Sequence, residues 1–349
     1  MKIVVLGGGL SPERDVSKKS ASLIANALLG RGHEVCLVDL YEGSEQADPI
    51  EFRFGTDNLY SFEIPETEPD LKALIREHGG RKEWIGPDVI DTCKKADVVF
   101  VGLHGSHGEN GQLQAVLDAY GIKYTGCGYL GCAVAMDKDL SKSLILGKGL
   151  NTAKWFTAEG KDITYERIQK EIGIPCVVKP IGCGSSCGVS IVKTEEELTK
   201  AIEWANTYEQ LILVEAFITG REITIGVVDG KPLPITEIIP HEGFYDYKNK
   251  YQAGLTTHVC PAEFSPELTK RGQDLAVEIF NTLRMSSYGR IDIMYQEETD
   301  SFWFIEANNL PGMTSTSLVP EAAKVMGIEY DVLCEKIALS ALNEGTLEL

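Results

Sequence analysis

The chain has 349 residues, and 33 Lys and Arg against 52 Asp and Glu leave a formal net charge of −19. That length predicts two or three domains, and 43% hydrophobic residues exclude global disorder. Acidity of this size argues against a surface built for nucleic acid or anionic lipid, yet leaves room for a small basic pocket around a phosphate ligand.

The start, MKIVVLGGG, turns polar at once and reads as a first strand, not a signal peptide. No apolar run of 18 residues predicts a membrane span. Residues 2–8 predict a buried strand entering a glycine turn, 16–29 an amphipathic helix, and 34–40 a second strand. This is the pattern of a parallel α/β unit. Residues 42–70 carry nine acids and one base and read as an elaborated, solvated segment. Another buried strand (96–105) and a helix (112–120) bring the first unit to a close near Gly126. A helix over about 136–148 opens the second unit. There PCVVKP and VSIVK flank the glycine-rich GCGSSCG, and a helix and the strand QLILVEAFI complete it. From about Thr219 the pattern is β-rich. A helix (266–283) leads to RIDIMYQ and SFWFIEANN, which read as antiparallel neighbours. The expected parts are 1–126, 127–218 and 219–349. Nine cysteines at irregular spacing suit a reduced compartment better than a disulfide framework, and Cys183 and Cys187 lack a second pair for zinc.

Five segments carry candidate chemistry. VVKPIGCGSSCGVSIV runs strand, loop, strand, so it is not a Walker loop. It still has what a phosphate grip needs: Gly182, Gly184 and Gly188 for close backbone approach, hydroxyls on Ser185 and Ser186, and charge on Lys179. A flexible hairpin is the alternative. If the last two strands pair, Asp292 can converge with Glu306 and Asn308, an oxygen set that suits Mg²⁺. Neutralisation of the carboxylates by Arg290 or by backbone is the alternative there. Glu215 and Glu222 flank a strand connector that could serve adenine and ribose, or be a surface turn. FYDYKNKYQAG, with Lys248 and Lys250, could close over a site, or be a plain surface loop. The turn GGGLSPERDVS fails as a dinucleotide fingerprint because Pro12 stands at the third glycine position. Glu13 near a helix start is favoured by the dipole.

Taken together, the chain resembles the D-alanine–D-alanine ligases of the ATP-grasp superfamily. The resemblance rests on GGGLSPERDVS, LHGSHGENGQLQ, YTGCGYLGCAVAMDK, VVKPIGCGSSCGVS, FYDYKNKY, GRIDIM and EANNLPGMTSTSL, in that order along nearly the whole chain. It implies an α/β ATP-grasp fold, α+β in its C-terminal part, with an N-terminal parallel-sheet domain and two further domains clamping ATP. It also implies a cytoplasmic homodimer that takes D-alanine and ATP, with no nucleic-acid or membrane partner, for peptidoglycan precursor synthesis.

Residue by residue, the resemblance implies that Lys138, Lys179 and Lys250 hold ATP phosphates. Glu215, the backbone of Ala216 and Ile218, and Glu222 meet adenine and ribose. Asp292, Glu306 and Asn308 hold two Mg²⁺ ions, with Mn²⁺ as an alternative. Glu13 binds the first substrate's ammonium and joins Ser185 and Tyr251 in a network that orders the lid. Arg290 and the N–H of Gly312 stabilise the oxyanion. Ser317 and the N–H of Leu318 grip the second substrate's carboxylate, and His104 lies on the substrate side. Two departures from the family pattern stand out: cysteines 183 and 187 around the serines, and Asn309 where Thr is frequent. The alternative activities are a D-Ala–D-Ser or other D-amino-acid ligase and, more remotely, a Rossmann oxidoreductase using NAD through Asp39.

Overall fold

The computed structural model describes residues 1–65, 67–184, 186–241 and 256–343. Its strands are β1 (Lys2–Gly7), β2 (Glu34–Asp39), β3 (Val98–Val101), β4 (Trp155–Glu159), β5 (Cys176–Pro180), β6 (Ser190–Val192), β7 (Leu211–Ala216), β8 (Arg221–Val228), β9 (Lys231–Pro232), β10 (Thr236–Pro240), β11 (Thr256–Val259), β12 (Tyr288–Gln296) and β13 (Ser301–Asn308). They form three sheets. The first is parallel, in the order β2-β1-β3. The second is antiparallel, β4-β7-β5-β6, and the third runs β11-β10-β8-β12-β13 with β9 beside β8. The predicted α/β character and the β12–β13 pairing are both present.

Apolar alternation explains which faces are covered. Cys176, Val178, Val192, Ile212 and Val214 turn to one side of the second sheet and pack with Ile168, Leu198 and Ala201. That burial leaves the opposite side, by the period of two, for Lys179, Ile191 and Glu215. In the third sheet Ile223, Ile225, Ile291 and Ile293 pack with Ile279 and Phe280 of the helix Pro266–Thr282. The alternate positions Thr224, Arg290 and Asp292 face away from that core.

The cores run across the spans read from the sequence. Cys132, Ala135 and Ile145, from the helices Tyr129–Met136 and Lys138–Gly147, pack with the third sheet. The helix predicted over about 136–148 is Lys138–Gly147, set off from the preceding helix at Asp137, whose carboxylate accepts from the N–H groups of Asp139 and Leu140. The last helix, Tyr330–Asn343, buries Leu333, Cys334 and Ile337 in the core of the first sheet. Among the described residues, no helix is long and apolar enough to cross a membrane.

The acidic segment is less solvated than its charge suggests. Glu42 accepts from Arg14 Nη2 at 2.5 Å and Lys18 Nζ at 3.2 Å. Glu45 accepts from Arg81 at 2.9 Å. Tyr60 is buried beneath the Arg53 guanidinium, which lies 4.1 Å from its ring centre. Basic residues from elsewhere in the fold therefore neutralise part of this run, which composition cannot reveal.

Candidate active site

Two chambers lie where the three sheets meet. The first is an apolar slot of about 160 Å³ between the second sheet and strands β12 and β13. Val177, Ile191, Met294, Trp303 and Phe304 form its walls. Lys138, Lys179, Ser186, Glu215, Ala216, Ile218, Glu222, Asp292 and Glu306 also line it, as the nucleotide side of the resemblance implies. The second chamber, about 390 Å³, takes in Glu13, His104, Arg290, Asn308, Gly312, Ser317 and Leu318. Lys138 and Glu306 line both, and the Lys138 ammonium stands 3.5 Å from the Glu306 carboxylate. Ser185, Lys250 and Tyr251 lie outside the described residues.

Charge in the slot centres on Glu215. Its Oε1 is 2.6 Å from Lys179 Nζ and its Oε2 is 2.7 Å from Lys142 Nζ. Burial alone would raise this carboxyl, but the two ammonium groups outweigh it and hold the group at about 2. Lys142 was not anticipated from the sequence. It lies one helical turn beyond Lys138, a spacing that puts both on one face and could have flagged it.

The oxygen set follows from register. Asp292 is paired directly with Glu306, and Arg290 with Asn308. Like charges directly opposite repel and call for a cation between or beside them. Here Arg290 supplies part of that role, donating from Nε and Nη2 to the two Asp292 oxygens at 2.9 and 2.8 Å. Thr224 Oγ1 donates to Asp292 Oδ1 at 2.6 Å. Among the described residues, the buried Asn308 Oδ1 has no hydrogen-bond partner, a cost that a ligand could remove. Two carboxylates and an orphaned amide oxygen, beside a slot open to phosphates, fit a hard divalent cation such as Mg²⁺. Among the described residues, no group of three or more His, Cys, Asp or Glu could hold a metal by itself.

In the second chamber the glycine turn and the 103–111 loop come together. Gly105 is at φ +71°, and a Cβ there would stand 2.6 Å from Ser11 Oγ and 2.8 Å from Glu13 Oε2. Only glycine admits this approach. His104 Nε2 is 3.0 Å from Ser20 Oγ, and its Nδ1 is 4.0 Å from Glu109 Oε1. Burial pushes the His104 imidazole below its ordinary value against the pull of Glu13. Burial first, and then the Glu13 charge, push Glu109 up to about 8. Glu109 belongs to the quoted LHGSHGENGQLQ but was not singled out, because nothing local marks it as buried. Asn309, the departure from the family pattern, donates to the Glu109 carbonyl at 2.9 Å. Ser317 stands at the N-cap of the helix Leu318–Val325 without capping it, and its Oγ instead accepts from the Thr314 N–H at 3.0 Å. Ile64, from the acidic segment, reaches the rim.

Asp39 does not serve a dinucleotide. Its carboxylate pairs with Arg14 at 2.7 Å and accepts from the N–H groups of Tyr41 and Glu42. A Cβ on Gly8 would overlap the Asp39 carboxylate, so the turn closes on that side chain. Burial pushes the Cys183 thiol up to about 12, which disfavours its thiolate.

Comparison with known proteins identifies the family. Residues 2–127 match the family model for the D-ala D-ala ligase N-terminus, and residues 144–338 match that for the D-ala D-ala ligase C-terminus. The D-alanine–D-alanine ligase of Pediococcus pentosaceus is 41% identical over 346 residues, covering 97% of each chain. The crystal structure of the D-alanine–D-alanine ligase from Bacillus anthracis superposes with a TM-score of 0.77 at 30% identity, covering 98% of this chain and 97% of that one. The same enzyme complexed with ATP gives 0.75 at 28% identity, with the same coverage.

Proposed function

The chain belongs to the D-alanine–D-alanine ligase family, and we propose from that premise that its two chambers divide the reaction between them. The enzyme is an ATP-dependent carboxylate–amine ligase with the ATP-grasp fold, joining two D-alanine molecules for peptidoglycan precursor synthesis. A carboxylate oxygen of the first D-alanine attacks the γ-phosphorus of ATP. ADP leaves and D-alanyl phosphate remains. The amine of the second D-alanine, having lost a proton, attacks the acyl carbon. The tetrahedral intermediate expels phosphate and leaves D-alanyl-D-alanine.

One observation carries the division: Lys138 and Glu306 line both chambers, so a γ-phosphate in the slot and a carboxylate in the second chamber would meet there. In the slot, Lys138 and Lys179 hold phosphates, helped by Lys250 and the hydroxyls of Ser185 and Ser186. Glu215, Ala216, Ile218 and Glu222 meet the nucleoside. Asp292, Glu306 and Asn308 hold Mg²⁺, two ions on the family's pattern or Mn²⁺ in their place. When bound, the metal neutralises phosphate charge and orients the oxygens.

In the second chamber Glu13 takes the first ammonium, and Tyr251 and Ser185 extend its network to the lid. His104, held on Ser20, shapes this side. Arg290 and the N–H of Gly312 face the oxyanion, where each preorganised donor contributes roughly 3–4 kcal/mol. Ser317 and the N–H of Leu318 receive the second carboxylate, which the helix N-terminus favours. Excluding water from the junction protects the acyl phosphate. A homodimer in the cytoplasm completes the reading.

The test is phosphate release with ATP, Mg²⁺ and D-alanine, with products separated chromatographically. D-alanine-dependent phosphate together with D-alanyl-D-alanine is expected; phosphate release that does not depend on D-alanine refutes the reading. For the second substrate, Tyr251→Phe is expected to raise use of D-lactate relative to D-alanine. An unchanged product ratio would contradict that.

A further inference from the structure

Lys142 is fully buried, which a lysine rarely tolerates unless it is paired. Its Nζ donates to Thr152 Oγ1 and Glu215 Oε2, each at 2.7 Å, and stands 5.0 Å from the centre of the Trp155 ring. Lys179 and Glu215 line the slot, whereas Lys142 lies behind them and does not. The three charges thus form a chain of ammonium, carboxylate and ammonium, with Lys142 innermost. Without Lys142, Glu215 would keep Lys179 as its sole counter-ion, and the pair would offer the slot no net charge. With Lys142 present, the cluster carries one net positive charge toward a polyanion.

We propose that Lys142 is a positioning residue for the nucleotide: it neutralises Glu215 from behind and so releases the charge of Lys179 for the phosphates. The inference rests on the reading of the slot as the ATP site. It also explains why a carboxylate can sit beside a phosphate grip without repelling its ligand. Burial lowers the pKa of Lys142, and the Glu215 carboxylate opposes that shift.

Calorimetric titration of the full chain with ATP and Mg²⁺, and separately with adenosine, tests this. Lys142→Met is expected to weaken ATP binding by roughly tenfold and to weaken adenosine, which has no phosphate, by much less. In steady state the KM for ATP rises and that for D-alanine does not. In a Glu215→Gln background, adding Lys142→Met is expected to change ATP affinity by less than about twofold, because a buried lysine without its carboxylate gives up its proton. Equal losses for ATP and adenosine, or a tenfold loss in the Glu215→Gln background, would overturn the proposal. Removing one partner of a buried pair is strongly destabilising. If Lys142→Met does not fold, a tenfold loss between Glu215→Gln and the double variant still overturns the proposal, since neither carries a stranded carboxylate. Wild-type protein that binds no ATP would refute the reading of the slot itself.

Discussion

Glu215 and Glu109 are both buried carboxylates, one in each chamber, and their acidities move in opposite directions. Two lysines hold Glu215 at about 2 despite burial, whereas Glu109, beside Glu13 and a depressed imidazole, is pushed up to about 8. Burial is common to both, so the counter-ions decide the sign. On the proposed reading, the slot is pre-charged for a polyanion. The second chamber gathers acids where a substrate ammonium is expected.

The largest test of this contrast removes the carboxylate oxygens proposed to hold the cation. Asp292→Asn or Glu306→Gln is expected to lower kcat by roughly a thousandfold, since metal charge stabilisation is worth several kcal/mol. Isothermal titration with Mg²⁺–ATP should show the metal-dependent part of binding lost as well. Near-normal turnover would mean that these oxygens do not meet the metal.

Next is Arg290→Lys, which loses the paired donation to Asp292. A fall in kcat of about a hundredfold, with ATP affinity little altered, is expected if Arg290 acts in the transition state. A rise in the KM for ATP alone would assign Arg290 to the slot instead.

Gly105→Ala should separate the chambers at the backbone. The added methyl meets Ser11 and Glu13 at a positive φ, so it should displace the Glu13 carboxylate. We expect the KM of the first D-alanine to rise by roughly tenfold, with calorimetric ATP affinity unchanged. An unchanged KM would show that Glu13 does not hold the ammonium.

The smallest expected effect is on stability. The folded pKa of Glu109 is raised from 4.5 to about 8. Between those values the folded state binds more protons than the unfolded one, so this group's contribution weakens as pH rises through that window. Glu109→Gln removes the dependence: its Tm relative to wild type should climb from pH 5 to pH 8. A parallel pair of Tm profiles would mean that Glu109 ionises normally. The slot runs the other way. Glu215, lowered to about 2, stabilises the fold above its unfolded pKa and loses that contribution as pH falls toward 2.

Much of the site was legible along the chain. Period-two spacing put Glu306 and Asn308 on one face of β13, and β12 then supplied Asp292 in register with Glu306. The strand–loop–strand form of the glycine segment excluded a Walker loop, and β5 and β6 do pair antiparallel around it. Lys142, Glu109 and the pairing of Glu42 with Arg14 were not legible. Each depends on a partner brought from far along the chain.

The sequence by itself determined which residues could be donors and ligands. Alternation, glycine placement and helix starts are local properties, written in neighbouring residues. Only the tertiary structure decided which charges are compensated. The Lys142–Glu215 contact spans 73 positions, and the Asn309–Glu109 contact spans 200. An ionisable group's behaviour depends on the solvent it has lost and the counter-ions it has gained, and both are set only when the sheets and helices pack together.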